Sequence, residues 1–352
     1  MRIHHGAFAA LLIAAAPALG QEGEIVRDGE YKFVEAQHAE EWAAQDERID
    51  ARLAEIREAQ GDKRPNILYV LIDDVSFGLM GQPAMNYVTG IDTTNINEFA
   101  TQGMSLMRMY TEPSCTPTRT AMLTGRHPIR AGVEEVKVAL VGEGLPKEEV
   151  TIAEILGEVG YNTVHVGKWH QGDIEEAYPH NQGFDRAYFP LHQQVQLSLM
   201  TKEAAMAGNM AGYHGSNQSG EFAIDQLFKP YGLVTGLEAE AGGTAVEVDL
   251  EAGEEWSQAH YVEMNHRYQR QTLEELEKLA GAEEPFFLQY WPLWPLNFVQ
   301  DVENVSRNGG FHAEKLQVLD VFLGEVFDKV DALGISENTM VVLMADNGLM
   351  YH

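Results

Sequence analysis

The chain has 352 residues, 45% of them hydrophobic, with 24 Lys and Arg against 54 Asp and Glu and a net charge of −30. That size and apolar share allow a full core in one large domain or two modest ones. So acidic a surface repels nucleic acid and anionic membranes, which removes both as partners.

Residues 1–20 read as a secretory signal. Arg2 gives a short positive start, Phe8 to Ala16 is an apolar run too short to span a bilayer, and Ala18-Leu19-Gly20 is a small-x-small cleavage site before Gln21. A buried N-terminal helix is the alternative, but the stretch carries no helix caps. The expected location is therefore periplasmic or secreted, and no later segment is apolar for long enough to insert stably in a membrane. Residues 21–63 form a helical leader. Within it, 35–60 is an amphipathic packing helix through Ala43, Ile49, Leu53 and Ile56, stopped at Arg64-Pro65.

The remaining residues, 64–352, read as one further domain. Residues 66–72 are continuously apolar and of strand length, which suits a strand buried on both faces. A short helix is expected over 94–102 and a strand over 104–110. Helical character over Thr118 to Thr124 puts Cys115 at a helix N-terminus. Thr151 and Glu154 form a capping box for a helix ending near Val159, with Gly160 as its stop. Tyr161 to Val166 alternates as a strand. Residues 172–250 look like long surface loops with short hairpins. A helix over 257–280, a strand over 285–291, an amphipathic helix over 312–333 and a strand over 339–344 complete the pattern. Alternating strands and helices predict an α/β fold with a largely parallel central sheet flanked by helices.

Three groups of residues carry chemistry. Asp73 and Asp74 follow the first buried strand, and Asp346-Asn347-Gly348 follows the last. Ligands of open α/β sheets gather beyond the carboxyl ends of strands, and adjacent carboxylates there call for a hard divalent cation. A turn or a helix cap is the plainer reading of either pair alone. Lys168 and His170 are two apart, so in an extended segment they face one side, pairing a fixed cation with a titratable imidazole. Cys115 is the single cysteine and cannot form an internal disulfide. A helix N-terminus and Arg119, one turn on, would favour negative charge at its sulfur.

Cys115, Pro117 and Arg119 spell C-x-P-x-R, and Leu123-Thr124-Gly125-Arg126 follows. Together with Asp73-Asp74, Gly167-Lys168-Trp169-His170 and Asp346-Asn347-Gly348, this run resembles the type I sulfatases of the alkaline phosphatase-like superfamily. The resemblance implies a sulfuric ester hydrolase cleaving aryl or carbohydrate sulfate monoesters. It implies that a formylglycine-generating enzyme oxidises Cys115 to formylglycine (3-oxoalanine), whose hydrate attacks sulfur. It implies Ca²⁺ held by Asp73, Asp74, Asp346 and Asn347 with an oxygen from position 115. Arg119, Lys168 and His170 then carry over as catalytic residues, with Lys168 also binding the sulfate. His192 falls, by a looser match, where some members place a substrate-pocket residue. For such anionic substrates a local cationic pocket must overcome the acidic surface. A phosphate or phosphonate monoester hydrolase of the same superfamily, or a catalytically impaired exported fragment, are the alternatives.

Two departures stand out. Many members carry Pro-His-x-Pro after the Phe-Phe-Leu strand, where this chain has Trp291-Pro292-Leu293-Trp294-Pro295 and no histidine. The sequence also matches only the N-terminal portion of a typical member. It is therefore expected to lack C-terminal sheet elements and a further active-site lysine, and to be poorly stable alone.

Overall fold

The computed structural model describes residues 29–61, 63–137, 142–191, 236–248, 258–295 and 310–348. The signal sequence expected over 1–20 and the candidate His192 lie outside them. Two compact units emerge, 1–62 and 63–352. In the first, α1 runs Gly29–Gln60. Its Ile49, Leu53 and Ile56 are exposed.

The second unit is built on a seven-stranded sheet. Its strands are β1 (Asn66–Ile72), β2 (Asn162–Gly167), β3 (Arg186–Phe189), β4 (Leu237–Glu240), β5 (Val246–Glu247), β6 (Phe286–Trp291) and β7 (Thr339–Ala345). Their spatial order is β5-β4-β3-β2-β6-β1-β7. The β3-β2-β6-β1-β7 section is parallel throughout, and β4 and β5 add an antiparallel edge. This is the α/β class with a largely parallel sheet that the alternating elements predict. Among the described residues no helix is long and apolar enough to cross a membrane.

Side-chain alternation sends each central strand into two cores. On one face Leu68, Val70, Ile72, Val164, Val166, Leu288 and Tyr290 pack against α7 (Gln258–Ala280) and α8 (Gly310–Ala332). On the other, Leu71, Phe287 and Trp291 meet Leu123 of α4 (Cys115–Thr124), Ala131 of α5 (Pro128–Ala131) and Ala153 of α6 (Ile152–Glu158). Helices on both faces explain why β1 and β6 are buried along almost their whole length. Shorter helices α2 (Pro83–Thr89) and α3 (Thr94–Thr101) lie between β1 and α4. Asp320 of α8 accepts from the backbone N–H groups of Asn95 (3.1 Å) and Ile96 (2.8 Å), capping α3. At α6 the Thr151–Glu154 capping box is formed in both directions.

Three local expectations are corrected. Residues 104–110 form no strand; Met104, Leu106, Met109 and Tyr110 are exposed, because no neighbouring strand among the described residues pairs with them. Strand β2 does not alternate between core and solvent, since Val164, His165 and Val166 are all fully buried between β3 and β6. Residues 173–191 are not a surface loop. Phe184, Ala187 and Phe189 are fully buried, and β3 extends the sheet. The short hairpin expected within 172–250 is β4–β5.

Gly167 closes β2 opposite Trp291 of β6. Its φ is +104°, and a Cβ built there would sit 2.0 Å from the Trp291 carbonyl oxygen. Both the backbone conformation and the close approach require glycine. Gly167→Ala is expected to cost at least about 3 kcal/mol of unfolding free energy. Gly157→Ala, where a Cβ meets nothing within 4 Å, should stay within about 1 kcal/mol of the parent. Urea unfolding of the two variants checks this, and equal midpoints would contradict it.

Candidate active site

Strands β1 and β7 are parallel neighbours, with Ile72 opposite Ala345. The residues that follow therefore leave the sheet side by side, and the two acidic pairs meet. The Asp346 N–H donates to the Ile72 carbonyl at 3.0 Å, and the Asp74 N–H donates to Asp346 Oδ1 at 3.0 Å. Asp74 has a left-handed backbone, φ 55°, which Asp tolerates better than most residues. The Asn347 side-chain amide donates to Asp74 Oδ1.

Helix α4 begins at this point. Ser114 is its extended N-cap and Cys115 its first residue. The Cys115 sulfur lies 3.9 Å from Asp74 Oδ1. One turn on, the Thr118 hydroxyl donates to the Asp346 carbonyl at 2.7 Å. Arg119 Nη2 reaches both Asp73 Oδ1 and Asp346 Oδ2 at 2.8 Å. Lys168, just past β2, sends Nζ to the same Asp73 Oδ1 at 2.5 Å. All four of these charged side chains are fully buried. Gln171 ties the two cationic segments together: it accepts from the Thr120 hydroxyl (2.6 Å) and donates to the Thr116 carbonyl (3.1 Å).

His170 is buried beside Lys168 in the sequence, but the segment is not extended there. Its φ is 59°, so the same-side argument from spacing does not hold. Its backbone N–H donates to the Leu191 carbonyl at 3.0 Å. His165, buried beneath, is a different kind of histidine. Burial lowers its pKa to about 3, so it is neutral, with one ring nitrogen at 3.0 Å from the Gly167 carbonyl and the other at 2.9 Å from the Gln289 amide.

Three carboxylates face two cations here without solvent. Burial would raise the Asp73 carboxyl, but Lys168 and Arg119 outweigh it and hold it well below the usual range. Burial and the Asp73 charge push Asp74 up to about 6 and Asp346 up to about 7. Burial, reinforced by Asp73, also raises the Cys115 thiol well above its ordinary value. The helix N-terminus therefore does not make Cys115 a thiolate, contrary to the sequence expectation. Nearby carboxylate charge and lost hydration dominate the helix dipole.

The donor set fits a hard cation. Oxygens of Asp73, Asp74 and Asp346 and the sulfur of Cys115 lie within 4.8 Å of one another, all buried. Asp73 Oδ2 and Asn347 Oδ1 are buried with no hydrogen-bond partner among the described residues. Unsatisfied oxygens beside excess negative charge are what a divalent ion would complete.

A sulfatase family profile matches residues 65–352. The chain belongs to the sulfatase family. It is 30% identical to human arylsulfatase A over 292 residues, covering 81% of this chain and 52% of that protein. It is 28% identical to arylsulfatase G of Rattus norvegicus, covering 81% and 51%, and 27% identical to N-acetylgalactosamine-6-sulfatase of Canis lupus familiaris, covering 81% and 50%. The chain thus spans about half the length of the curated relatives it matches. Among solved structures it resembles the PsFucS1 sulfatase from Pseudoalteromonas sp. with a TM-score of 0.71 and 25% identity, covering 87% of this chain and 59% of that one.

The described structure brings together Asp73, Asp74, Cys115, Arg119, Lys168, Asp346 and Asn347, leaving only His192 undescribed among the candidates and His170 buried alongside. Sequence reasoning passed over Thr118 and Gln171, and noted Trp291 only within a departure from the family pattern. Gln171 directly follows the Gly-Lys-Trp-His run, and Thr118 sits inside the cysteine motif, so both lay next to legible signals.

Arg119 is the cation shared by β1, β7 and α4. With the ion chelated, Arg119→Met should destabilise the fold by about 3–5 kcal/mol, as when one partner of a buried pair is removed. The loss should shrink below about pH 6, where Asp74 and Asp346 take up protons. Denaturant titrations at pH 8 and pH 5 measure this, and a pH-independent loss would count against the charge argument.

Proposed function

We propose that this chain is the nucleophile-bearing part of a sulfate monoester hydrolase, with aryl or carbohydrate sulfates as substrates. The names of its relatives, arylsulfatases and N-acetylgalactosamine-6-sulfatase, cover both kinds. The observation that carries the reading is a buried Cys115 at the head of α4, against Asp74 and inside a cluster of carboxylates. Burial, reinforced by those carboxylates, keeps the thiol protonated, so sulfur is a poor nucleophile there. Conversion to formylglycine by a formylglycine-generating enzyme removes that difficulty, because a hydrated aldehyde supplies an attacking oxygen.

In this reading Asp73, Asp74, Asp346 and Asn347 hold Ca²⁺, which when bound neutralises charge on the sulfate oxygens. Arg119 and Lys168 orient the residue at 115 and the sulfate. His170 delivers a proton to the departing alcohol. His192 remains a candidate for the substrate pocket. The apolar start and small-x-small site of residues 1–20 support a periplasmic or secreted location.

Two measurements test this. Expressed with a formylglycine-generating enzyme, the peptide containing residue 115 should weigh about 18 Da less than its thiol form. An unmodified thiol in a preparation that hydrolyses an aryl sulfate would refute the mechanism.

Calcium at about 100 times its dissociation constant should add about 2.7 kcal/mol of stability. At one fixed calcium concentration the effect should be larger at pH 8 than at pH 5, because the site binds the ion more tightly there. Metal-free, Asp74 and Asp346 hold protons up to about pH 6 and 7, so deprotonating them costs native stability as pH rises, and the ion removes that cost. A calcium-dependent shift in melting temperature that survives Asp74→Ala would show that the site is misassigned.

A further inference from the structure

Trp291 ends β6 and is fully buried. It immediately precedes Pro292-Leu293-Trp294-Pro295, where Leu293 stands in place of the histidine of the family's Pro-His-x-Pro pattern. Its carbonyl oxygen accepts the Lys168 backbone N–H at 2.8 Å. Its ring centroid lies 4.7 Å from the guanidinium carbon of Arg119. Trp169 stacks on the ring at 6.0 Å with an interplanar angle of 18°, and His165 meets it edge-on at 5.2 Å. The two cations that converge on Asp73 Oδ1 are thus both held by one residue, Arg119 by the ring and Lys168 by the backbone. They also touch each other, Arg119 Nη1 donating to the Lys168 carbonyl at 3.3 Å.

We infer that Trp291 is a positioning residue, setting where Arg119 and Lys168 stand around Asp73 and so where positive charge meets the substrate anion. Its indole N–H is buried and has no hydrogen-bond partner among the described residues. Buried Trp normally finds one, and an orphaned donor is costly. What the residue contributes is therefore the face of its ring and its bulk. A desolvated guanidinium over an aromatic face is held more strongly than one in water. Arg119 Nε also has no partner among the described residues, which leaves the ring face as a main brace for the guanidinium beyond its Nη contacts. The backbone arm survives any substitution; the ring arm does not.

The inference rests on the sulfatase reading for its kinetic test alone. Trp291→Phe keeps an aromatic face and drops the orphaned N–H. Trp291→Leu keeps apolar bulk and drops the face. On 4-nitrophenyl sulfate, Trp291→Phe should retain kcat within about threefold. Trp291→Leu should lose about tenfold or more in kcat with KM little changed, because misplaced charge costs the reaction more than ground-state binding. A second readout needs no activity. The Arg119 Nε–H proton resonance should be displaced by the ring current and protected from exchange in the parent and in Trp291→Phe. In Trp291→Leu it should return to an ordinary position. The inference is overturned if that resonance is ordinary in the parent, which holds even if Trp291→Leu fails to fold. It is also overturned if a cooperatively folded Trp291→Leu keeps full kcat. Absence of turnover of both aryl and carbohydrate sulfates by the formylglycine-bearing parent, with a displaced Arg119 resonance, would sink the sulfatase reading and leave the positioning role standing.

Discussion

The contact between Arg119 and the two carboxylates of Asp73 and Asp346 is the constraint around which the rest is arranged. One guanidinium nitrogen at 2.8 Å from each links α4 to the ends of β1 and β7. Those strands are joined in register along their whole length, from Asn66 opposite Thr339 to Ile72 opposite Ala345. Once paired, they deliver acids to one point whether or not anything neutralises them. Burying such charges is expensive. Arg119 and Lys168 offset most of that cost, and the lining left over is negative and rich in oxygen.

That imbalance gives the site its chemical character. A cluster with as many fixed cations as carboxylates would be an inert structural knot. With one cation fewer, protons or a metal ion must complete it, and which one does depends on pH. The raised carboxyl pKa values of Asp74 and Asp346 express the same deficit. The deficit also governs Cys115. Next to these acids a thiol stays protonated, whereas an oxygen function at the same place could join the ion's shell.

Local backbone geometry serves the same end. Asp74 and His170 both adopt left-handed conformations, which cost free energy unless surrounding structure holds them. Each stands just past the carboxyl end of a central strand, where the chain must turn sharply to keep functional side chains at the sheet edge. Gly167 lets β2 approach the carbonyl of Trp291, and that carbonyl then fixes the first residue of the Lys168 segment. Packing in the second core and placement of charge are therefore one problem, solved largely by the rings of Trp169 and Trp291.

Much of this was legible in the amino-acid order. An unalternated apolar run marked β1, since burial on both faces leaves no room for alternation. Asp73-Asp74 and Asp346-Asn347 read as ligands because each ends such a run, and the Cys115 motif, with Gly167 to His170, carried the family. What the order could not carry was anything decided by a partner distant in the chain. Residues 104–110 have strand composition but no neighbour among the described residues to pair with. Tyr161 to Val166 looked half-exposed until β3 and β6 closed around it. The charge state of Cys115 follows from Asp73, Asp74 and Asp346 brought beside it by the sheet, and no local rule about helix termini could anticipate that. Residue type and spacing determined which groups are present and which strands are buried. The tertiary structure alone decided their protonation and their mutual support, because both depend on desolvation and on charges brought close only when the sheet forms.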